Sequence, residues 1–422
     1  MMMLLISRIF CKNKIMIILC IVFIKLLFAN ADVNLENAYC DIATKSCPDA
    51  PTSTHDTKLL FYDVNPPEGF NLRRDVYMRF AILLAEATKE EKKLNWRLVL
   101  PPWYNLYHWQ SRVDKHEPIA WSHFFQVDAL QSFAPVIEFT DTFSKFPNNA
   151  VEIDVLYILQ NYKTSFEDGD FEDKWETTED CYYDGEFWGY NNVTVKETVC
   201  VYFQGRISML WELISLHPSA KSVMFAHGEI PLHESYGSKI FWDCRKSMKF
   251  SQRLLDIANE FIEEELSCND VKCDTYLAVH WRRQDFARSR GKEVPTPEGT
   301  ATQINKIILR KELDVKFIFV ATDAKPDEIR ILRSKLSKLS HELKIFTPND
   351  KDIGQLKDGD YAIIDQIICS RASYFIGTHE STFTYRIQEE REVLGFPSET
   401  TFNRLCPDRG DCPKPSKWTI VN

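Results

Sequence analysis

Leu59-Leu60-Phe61-Tyr62-Asp63-Val64-Asn65-Pro66-Pro67-Glu68-Gly69-Phe70-Asn71 is the stretch that decides the fold. Its apolar run, Leu59–Val64, reads as a buried strand that ends in a Pro-Pro turn. After Asn71 comes a helical pattern with Leu72, Val76, Phe80 and Leu83 on one face. The same grammar returns late in the chain. Tyr276–Val279 is a second strand, and it runs into His280-Trp281-Arg282-Arg283-Gln284-Asp285-Phe286. Strands that feed loops and then helices build open α/β sheets, whose ligands bind outside the carboxyl ends of the strands. One half of the chain thus offers a carboxylate at such a position, and the other offers arginines.

Working outward, further strands are expected at Trp96–Leu100, Val151–Leu159 and Ser222–Phe225. In the later half they fall at Lys316–Val320, Leu343–Phe346 and Tyr374–Ile376. Helices are expected at Pro297–Arg310, Lys325–Leu339, Tyr361–Arg371 and Thr382–Leu394. Ser247–Leu266 reads as one long amphipathic helix at a junction, and the acidic segment Glu167–Glu179 as a solvated loop. Strand–helix alternation implies a parallel sheet with helices on both faces. The expected organisation is residues 1–31, a signal peptide; 32–57, a leader; 58–246, a first Rossmann-like domain; and 247–422, a second.

The 422 residues, 44% hydrophobic and 13% aromatic, suffice for two domains with cores. The formal charge of -10 argues against a nucleic-acid partner, which would call for a basic excess. Local basic clusters suit a small phosphate ligand better. In the first 31 residues, Arg8, Lys12 and Lys14 precede the apolar Ile15–Ile24, and Ala29-Asn30-Ala31 has the small residues of a cleavage site. A membrane anchor is the other reading, but Lys25 interrupts the apolar run short of the ~20 residues that span a bilayer.

Ten cysteines follow that segment, an even number that suggests disulfides in an oxidising compartment. Close spacing makes Cys40–Cys47, Cys268–Cys273 and Cys406–Cys412 natural pairs, and Cys181–Cys200 would close a loop around Phe187-Trp188-Gly189. Cys244 and Cys369 are then left, free and buried. No Cys-x2-Cys pair suggests zinc. Asn192-Val193-Thr194 is the only glycosylation sequon, and it falls inside the Cys181–Cys200 loop, which should be exposed.

Taken with Val99-Leu100-Pro101-Pro102-Trp103, Tyr107-His108-Trp109-Gln110-Ser111, Phe187-Trp188-Gly189-Tyr190, Ala362-Ile363-Ile364-Asp365-Gln366, Ser381-Thr382-Phe383 and Glu389-Glu390-Arg391-Glu392, the two opening stretches carry a resemblance. From about Lys58 to Val421 the chain resembles the protein O-fucosyltransferase 2 family, which moves fucose from GDP-fucose to Ser or Thr of thrombospondin type 1 repeats. The related group that modifies EGF repeats usually has a Gly-Arg-Phe-Gly-Asn-like first loop, which this chain lacks. The resemblance implies a GT-B fold with the active site in the cleft between two Rossmann-like domains. It also implies an inverting, metal-independent reaction in the endoplasmic reticulum or Golgi lumen, and it supports Cys181–Cys200 and Cys406–Cys412 most among the disulfides. A monomer without a stable membrane span is expected. A binding or quality-control relative, or a fucosyltransferase for EGF repeats or glycans, is the alternative.

Transfer to a hydroxyl needs a base for its proton, cations or dipoles for the departing diphosphate, and a pocket for the nucleoside. The resemblance gives Glu68 the role of base, although a loop carboxylate can also cap the next helix. Gly69 would let the loop turn, and Phe70 would help raise the Glu68 pKa. Arg282 is the candidate clamp on the β-phosphate, its planar fork matching phosphate oxygens, while Arg283 better fits a surface salt bridge. Alternation at a strand end puts His280 on the face of Arg282, lining the donor site unless it is a structural hydrogen-bonder. Asp365, early in a helix, would accept guanine N–H groups, or serve as an N-terminal helix charge. Ser381, Thr382 and Phe383 open a helix whose free N–H groups can face phosphate or simply be capped. Pro67, Asn71 and Trp281 complete the donor-site expectation. Three Asp-x-Asp pairs, Asp168/Asp170, Asp350/Asp352 and Asp358/Asp360, lie in polar segments rather than after strands, so no metal or other cofactor is expected.

Overall fold

The computed structural model describes residues 57–90, 95–109, 116–163, 172–183, 185–234, 236–269 and 273–421. Residues 56–422 form one compact unit. The signal-peptide expectation, the Cys40–Cys47 pair, and Asp168 and Asp170 lie outside the described residues. Among those described, no helix is long and apolar enough to cross a membrane.

Two sheets organise the unit. The first has seven strands: β1 (Lys58–Tyr62), β2 (Trp96–Leu100), β3 (Val136–Glu138), β4 (Val151–Gln160), β5 (Lys174–Thr178), β6 (Val193–Gln204) and β7 (Ser222–Ala226). Their spatial order is β3-β2-β1-β7-β4-β6-β5, all parallel neighbours except the antiparallel edge strand β5. The second has β8 (Cys273–Trp281), β9 (Phe317–Thr322), β10 (Glu342–Lys344) and β11 (Ala372–Gly377), in the order β10-β9-β8-β11 and wholly parallel. In each sheet the order runs outward from a first strand and then reverses. The reversal falls between β1 and β7 in one sheet and between β8 and β11 in the other, and such switch points are where doubly wound sheets open a crevice.

Side-chain alternation assigns the faces. In β8, Tyr276 and Ala278 join a core that includes the helix Phe70–Glu90 and Ile363, Ile364, Ile367 and Ile368 of the helix Asp358–Arg371. Leu277, Val279 and Trp281 point the other way, onto Ala301, Ile304 and Ile308 of the helix Pro297–Lys311. In β1, Leu60 and Tyr62 join the first core, while Leu59 and Phe61 meet Phe139, Met224 and Trp188 in a third. Fully burying one such side chain contributes about 1.5–3 kcal/mol. The first core draws on both sheets, so the two halves share their largest apolar interior.

Two expected elements differ. The helix expected at Ser247–Leu266 starts only at Gln252 (Gln252–Leu266), and Ser247 is the last residue of a preceding helix, Lys239–Ser247. The residues between them pair as extended chain: Gln126 N–H donates to Lys249 O at 2.9 Å, and Ser251 N–H to Phe124 O at 2.8 Å. Part of the acidic segment Glu167–Glu179 is the strand β5, pinned to β6 from Lys174↔Gln204 to Thr178↔Cys200. Its side chains are exposed or half-buried, which is why its composition resembles a loop.

Disulfides join Cys181–Cys200, Cys268–Cys273 and Cys406–Cys412, and Cys244 and Cys369 are free and buried. Asn192 is exposed, its side-chain amide donating to Asn149 O at 2.7 Å.

Candidate active site

Glu68 lies six residues beyond the end of β1, on a tight turn in which its N–H donates to Asn65 O at 2.9 Å. Pro66 and Pro67 occupy the turn and have no N–H to leave unpaired. Arg73, one turn into the following helix, reaches back with Nε to Glu68 O at 3.0 Å. The Glu68 carboxyl is half-buried, and its pKa is raised by burial first and by the charge of Glu229 second, against Arg73 and Arg79. Phe70 has a different role from the one expected. Its ring is turned into an aromatic cluster with Trp103, Phe124 and Phe125, the nearest centroid at 4.5 Å. Gly69 also differs from expectation, because its φ is ordinary. A Cβ there would meet His108 Cδ2 at 3.0 Å, so glycine serves the close approach of that ring.

At the other switch point, Arg282 follows β8 directly. Its backbone N–H donates to Thr378 Oγ1 at 2.9 Å, and its guanidinium holds Asp285 through Nε at 3.1 Å and Nη2 at 2.7 Å. Arg283 turns away, to Glu328 at 2.5 Å and Pro295 O at 2.9 Å. Trp281 departs from its expected place in the donor site. It is fully buried in the core against the helix Pro297–Lys311, on the opposite face of β8 from His280 and Arg282.

His280 is buried and stacks on Phe383 at a centroid distance of 4.4 Å. Its Nδ1 lies 2.7 Å from Thr384 Oγ1, whose hydroxyl is 2.9 Å from Thr378 O. Since that hydroxyl proton is committed to a carbonyl, Nδ1 is the donor and Nε2 keeps its lone pair. Burial, then Arg282, push the His280 pKa down to about 3, so the imidazole is neutral. The helix Thr382–Val393 starts beside it. Thr382 is exposed, while Ser381 at the N-cap is 1% exposed and its hydroxyl has no partner among the described residues.

Asp365 occupies the middle of the helix Asp358–Arg371 rather than its start, so a charge–dipole role at the helix N-terminus does not apply. It is partly exposed, with no hydrogen-bond partner among the described residues, and burial alone pushes its carboxyl up to about 8. Its neighbour Gln366 donates to Asn71 Oδ1 at 2.8 Å and accepts from Arg74 Nη1 at 2.8 Å. Asn71 therefore ties the Glu68 side of the site to the Asp365 helix.

His108 also spans the two sides. Its ring packs over Gly69, and its pKa is lowered by burial and then by Arg282, with Asp285 and Asp323 opposing. The sequence stretch Tyr107–Ser111 contained it, yet nothing local marked it as a site residue. Asp63 was also missed. It accepts from Tyr183 Oη at 2.9 Å and Trp188 Nε1 at 3.1 Å, and with Tyr104 and His227 it lines a cavity of about 150 Å³ beside the Glu68 turn. Of the Asp-x-Asp acids, Asp360 caps its helix through Lys357 N–H at 2.9 Å and pairs with Arg253 at 2.8 Å. No group of three or more metal-ligating side chains gathers among the described residues.

Two doubly wound sheets, one wholly parallel and one parallel except for its edge strand, with a carboxylate turn at one switch point and an arginine and a helix N-terminus at the other, define a glycosyltransferase of the GT-B class. The chain belongs to the GDP-fucose protein O-fucosyltransferase family, whose model matches residues 59–394. It is 39% identical over 396 residues to GDP-fucose protein O-fucosyltransferase 2 of Homo sapiens, covering 86% of this chain and 90% of that one. The Caenorhabditis elegans protein of the same name is 38% identical over 398 residues, with the same coverage. In fold, the chain is similar to the crystal structure of POFUT1 in complex with GDP-fucose, with a TM-score of 0.55 at 16% identity over 83% of this chain and 97% of that one.

Proposed function

We propose that this chain transfers fucose from GDP-fucose, with inversion, to Ser or Thr of a folded thrombospondin type 1 repeat. The observation that carries the reading is His108, whose ring packs on Gly69 beside Glu68 and lies within the field of Arg282, so that it links the two switch points. Glu68, its basicity raised by burial, takes the acceptor proton as the hydroxyl oxygen attacks the anomeric carbon. Arg282 and the N–H groups at the start of the helix Thr382–Val393 stabilise the diphosphate as it leaves. The unpartnered Ser381 hydroxyl and the neutral His280 suit the same phosphate and sugar neighbourhood. Asp365 accepts from the guanine ring N–H and amino group. These donors suffice without a divalent ion. The three disulfides among the described residues and an exposed sequon fit a secretory-pathway lumen, the endoplasmic reticulum first.

The test is incubation with GDP-fucose and folded thrombospondin-type or EGF-type repeats, in EDTA and without it, followed by mass spectrometry of the acceptors. Fucose on the thrombospondin-type repeat, undiminished by EDTA, is expected. In Glu68→Ala the rate falls about 10²–10⁴-fold while GDP affinity holds, since the base and the clamp come from different halves. Labelling of the EGF repeat alone overturns the acceptor. A Glu68→Ala enzyme at half the normal rate removes Glu68 from the mechanism.

A further inference from the structure

His227-Gly228-Glu229 leaves β7, the strand on the other side of the first switch point from Glu68. The two loops run together beyond their strands. Asp63 N–H donates to Phe225 O at 2.9 Å, and Gly228 N–H to Asp63 O at 2.8 Å. Glu229 Oε2 then accepts the N–H of Asn65 at 3.1 Å. Asn65 opens the turn whose last residue is Glu68, and its own carbonyl receives the Glu68 N–H. One carboxylate thus holds the first residue of a turn whose fourth residue is another carboxylate.

A loop amide needs only an acceptor, and a neutral amide side chain would serve. A second carboxylate here instead adds repulsion, because like charges in one site disfavour each other. The surroundings keep it in place. Arg79 Nη1 donates to Glu229 O at 2.8 Å and to Pro231 O at 2.7 Å, and His227 Nδ1 lies 3.5 Å from Glu229 Oε1. The Glu229 side chain is 16% exposed, so its charge is only partly screened by water.

We infer that Glu229 is a positioning residue for Glu68: it fixes the Asn65–Glu68 turn through the Asn65 amide and brings a second negative charge into the site. This rests on the reading of Glu68 as the base. The groups that face Glu68 agree with it. Burial and Glu229 raise its pKa, and Arg73 and Arg79 lower it. Asp63 and His227 stand one contact further out, and His108 covers Gly69.

The experiment is the pH profile of kcat/KM with a folded repeat acceptor for the full chain and the variants Glu229→Gln, Glu229→Ala, His227→Asn and Glu68→Ala. In Glu229→Gln the amide oxygen still accepts from Asn65 but the charge is gone. Its acid limb moves to lower pH, and its plateau falls about 3–10-fold as the base weakens. Glu229→Ala loses the acceptor as well, and its kcat falls further while KM for GDP-fucose stays within about twofold. His227→Asn, which tolerates the left-handed backbone at φ 59°, keeps the acid limb. An unmoved limb in Glu229→Gln, with Glu68→Ala inactive, overturns the inference while leaving Glu68 as base. So does a limb that disappears in His227→Asn. Half-normal activity in Glu68→Ala would instead sink the base assignment and the Glu229 role with it.

Discussion

Asp365 has the least compensated charge in the site: a carboxyl in mid-helix, without a hydrogen-bond partner among the described residues, pushed up to about 8 by burial. Below that pH the group is protonated and cannot accept two N–H bonds from guanine. Binding must therefore expel a proton, which costs up to a factor of ten per pH unit. GDP affinity should rise from pH 6 to 7 by nearly tenfold and level off near 8, as read by calorimetry. In Asp365→Asn the remaining pH slope should be only that of the phosphate, with weaker binding throughout. Identical slopes in the two proteins would remove Asp365 from the nucleoside site. The sequence made some of these residues legible. Glu68 and Arg282 each stand just past an apolar strand, a pattern contained within a dozen residues. Glu229 and Asn65 are 164 positions apart, and no local period links them. Trp281 is expected in the donor site from its place beside His280 and Arg282 but lies in the core. Alternation along β8, followed one residue further, turns it into the core.

Among the elements, the helix Thr382–Val393 depends on a single glycine. Gly377 ends β11 opposite His280, and a Cβ there would come within 2.2 Å of Thr384 Cγ2 and 2.6 Å of its Oγ1. Thr384 is the acceptor that fixes the His280 tautomer, so the glycine sets both the depth of the helix start and the ring beside it. Gly377→Ala must displace Thr384. The expected result is a loss of about 1–3 kcal/mol in stability, as for other overpacked sites, together with at least tenfold weaker GDP binding. Unchanged GDP affinity by calorimetry would show that the helix start is no part of the donor site. Strands and helices with strong apolar periods were legible, including all four strands of the second sheet. What escaped was β3, only three residues long, and the pair β5–β6: the side chains of β5 meet solvent, many of those of β6 do too, and their strand character comes from pairing with each other. The break at residues 248–251 escaped too, since Phe250 falls in register with Leu254 and Ile257 but is held extended by Phe124–Gln126.

For residues 56–422 taken together, a cleft between two halves was expected, but what fastens the halves was not. Buried charges do much of it. Arg245 is 1% exposed, with Nε 2.9 Å from Glu389 and Nη2 2.9 Å from Glu390. Arg386 lies 3.1 Å from Glu389 and 3.6 Å from Asp75, which in turn holds Arg79 and His233. Arg74, fully buried, reaches Gln366. In sequence these read as ordinary helix charges, because the partners that cross the seam are far apart along the chain, Arg245 and Glu389 by 144 positions and Arg74 and Gln366 by 292. Removing one member of such a network strands its partners in an interior of low dielectric. Arg245→Met should cost about 3–5 kcal/mol, since Glu389 is 0% exposed and, among the described residues, retains only Arg386 as an ion-pair partner. On a unit of this size the thermal midpoint should fall by about 4–7 °C. A matched control is Arg330→Ala. Its pair with Asp327 is 76% and 77% exposed, and such pairs contribute at most ~1 kcal/mol. Because the seam is screened from solvent, 1 M salt should leave the gap between the two variants in place. A midpoint for Arg245→Met within a degree of that for Arg330→Ala would mean that the shared apolar core alone joins the halves.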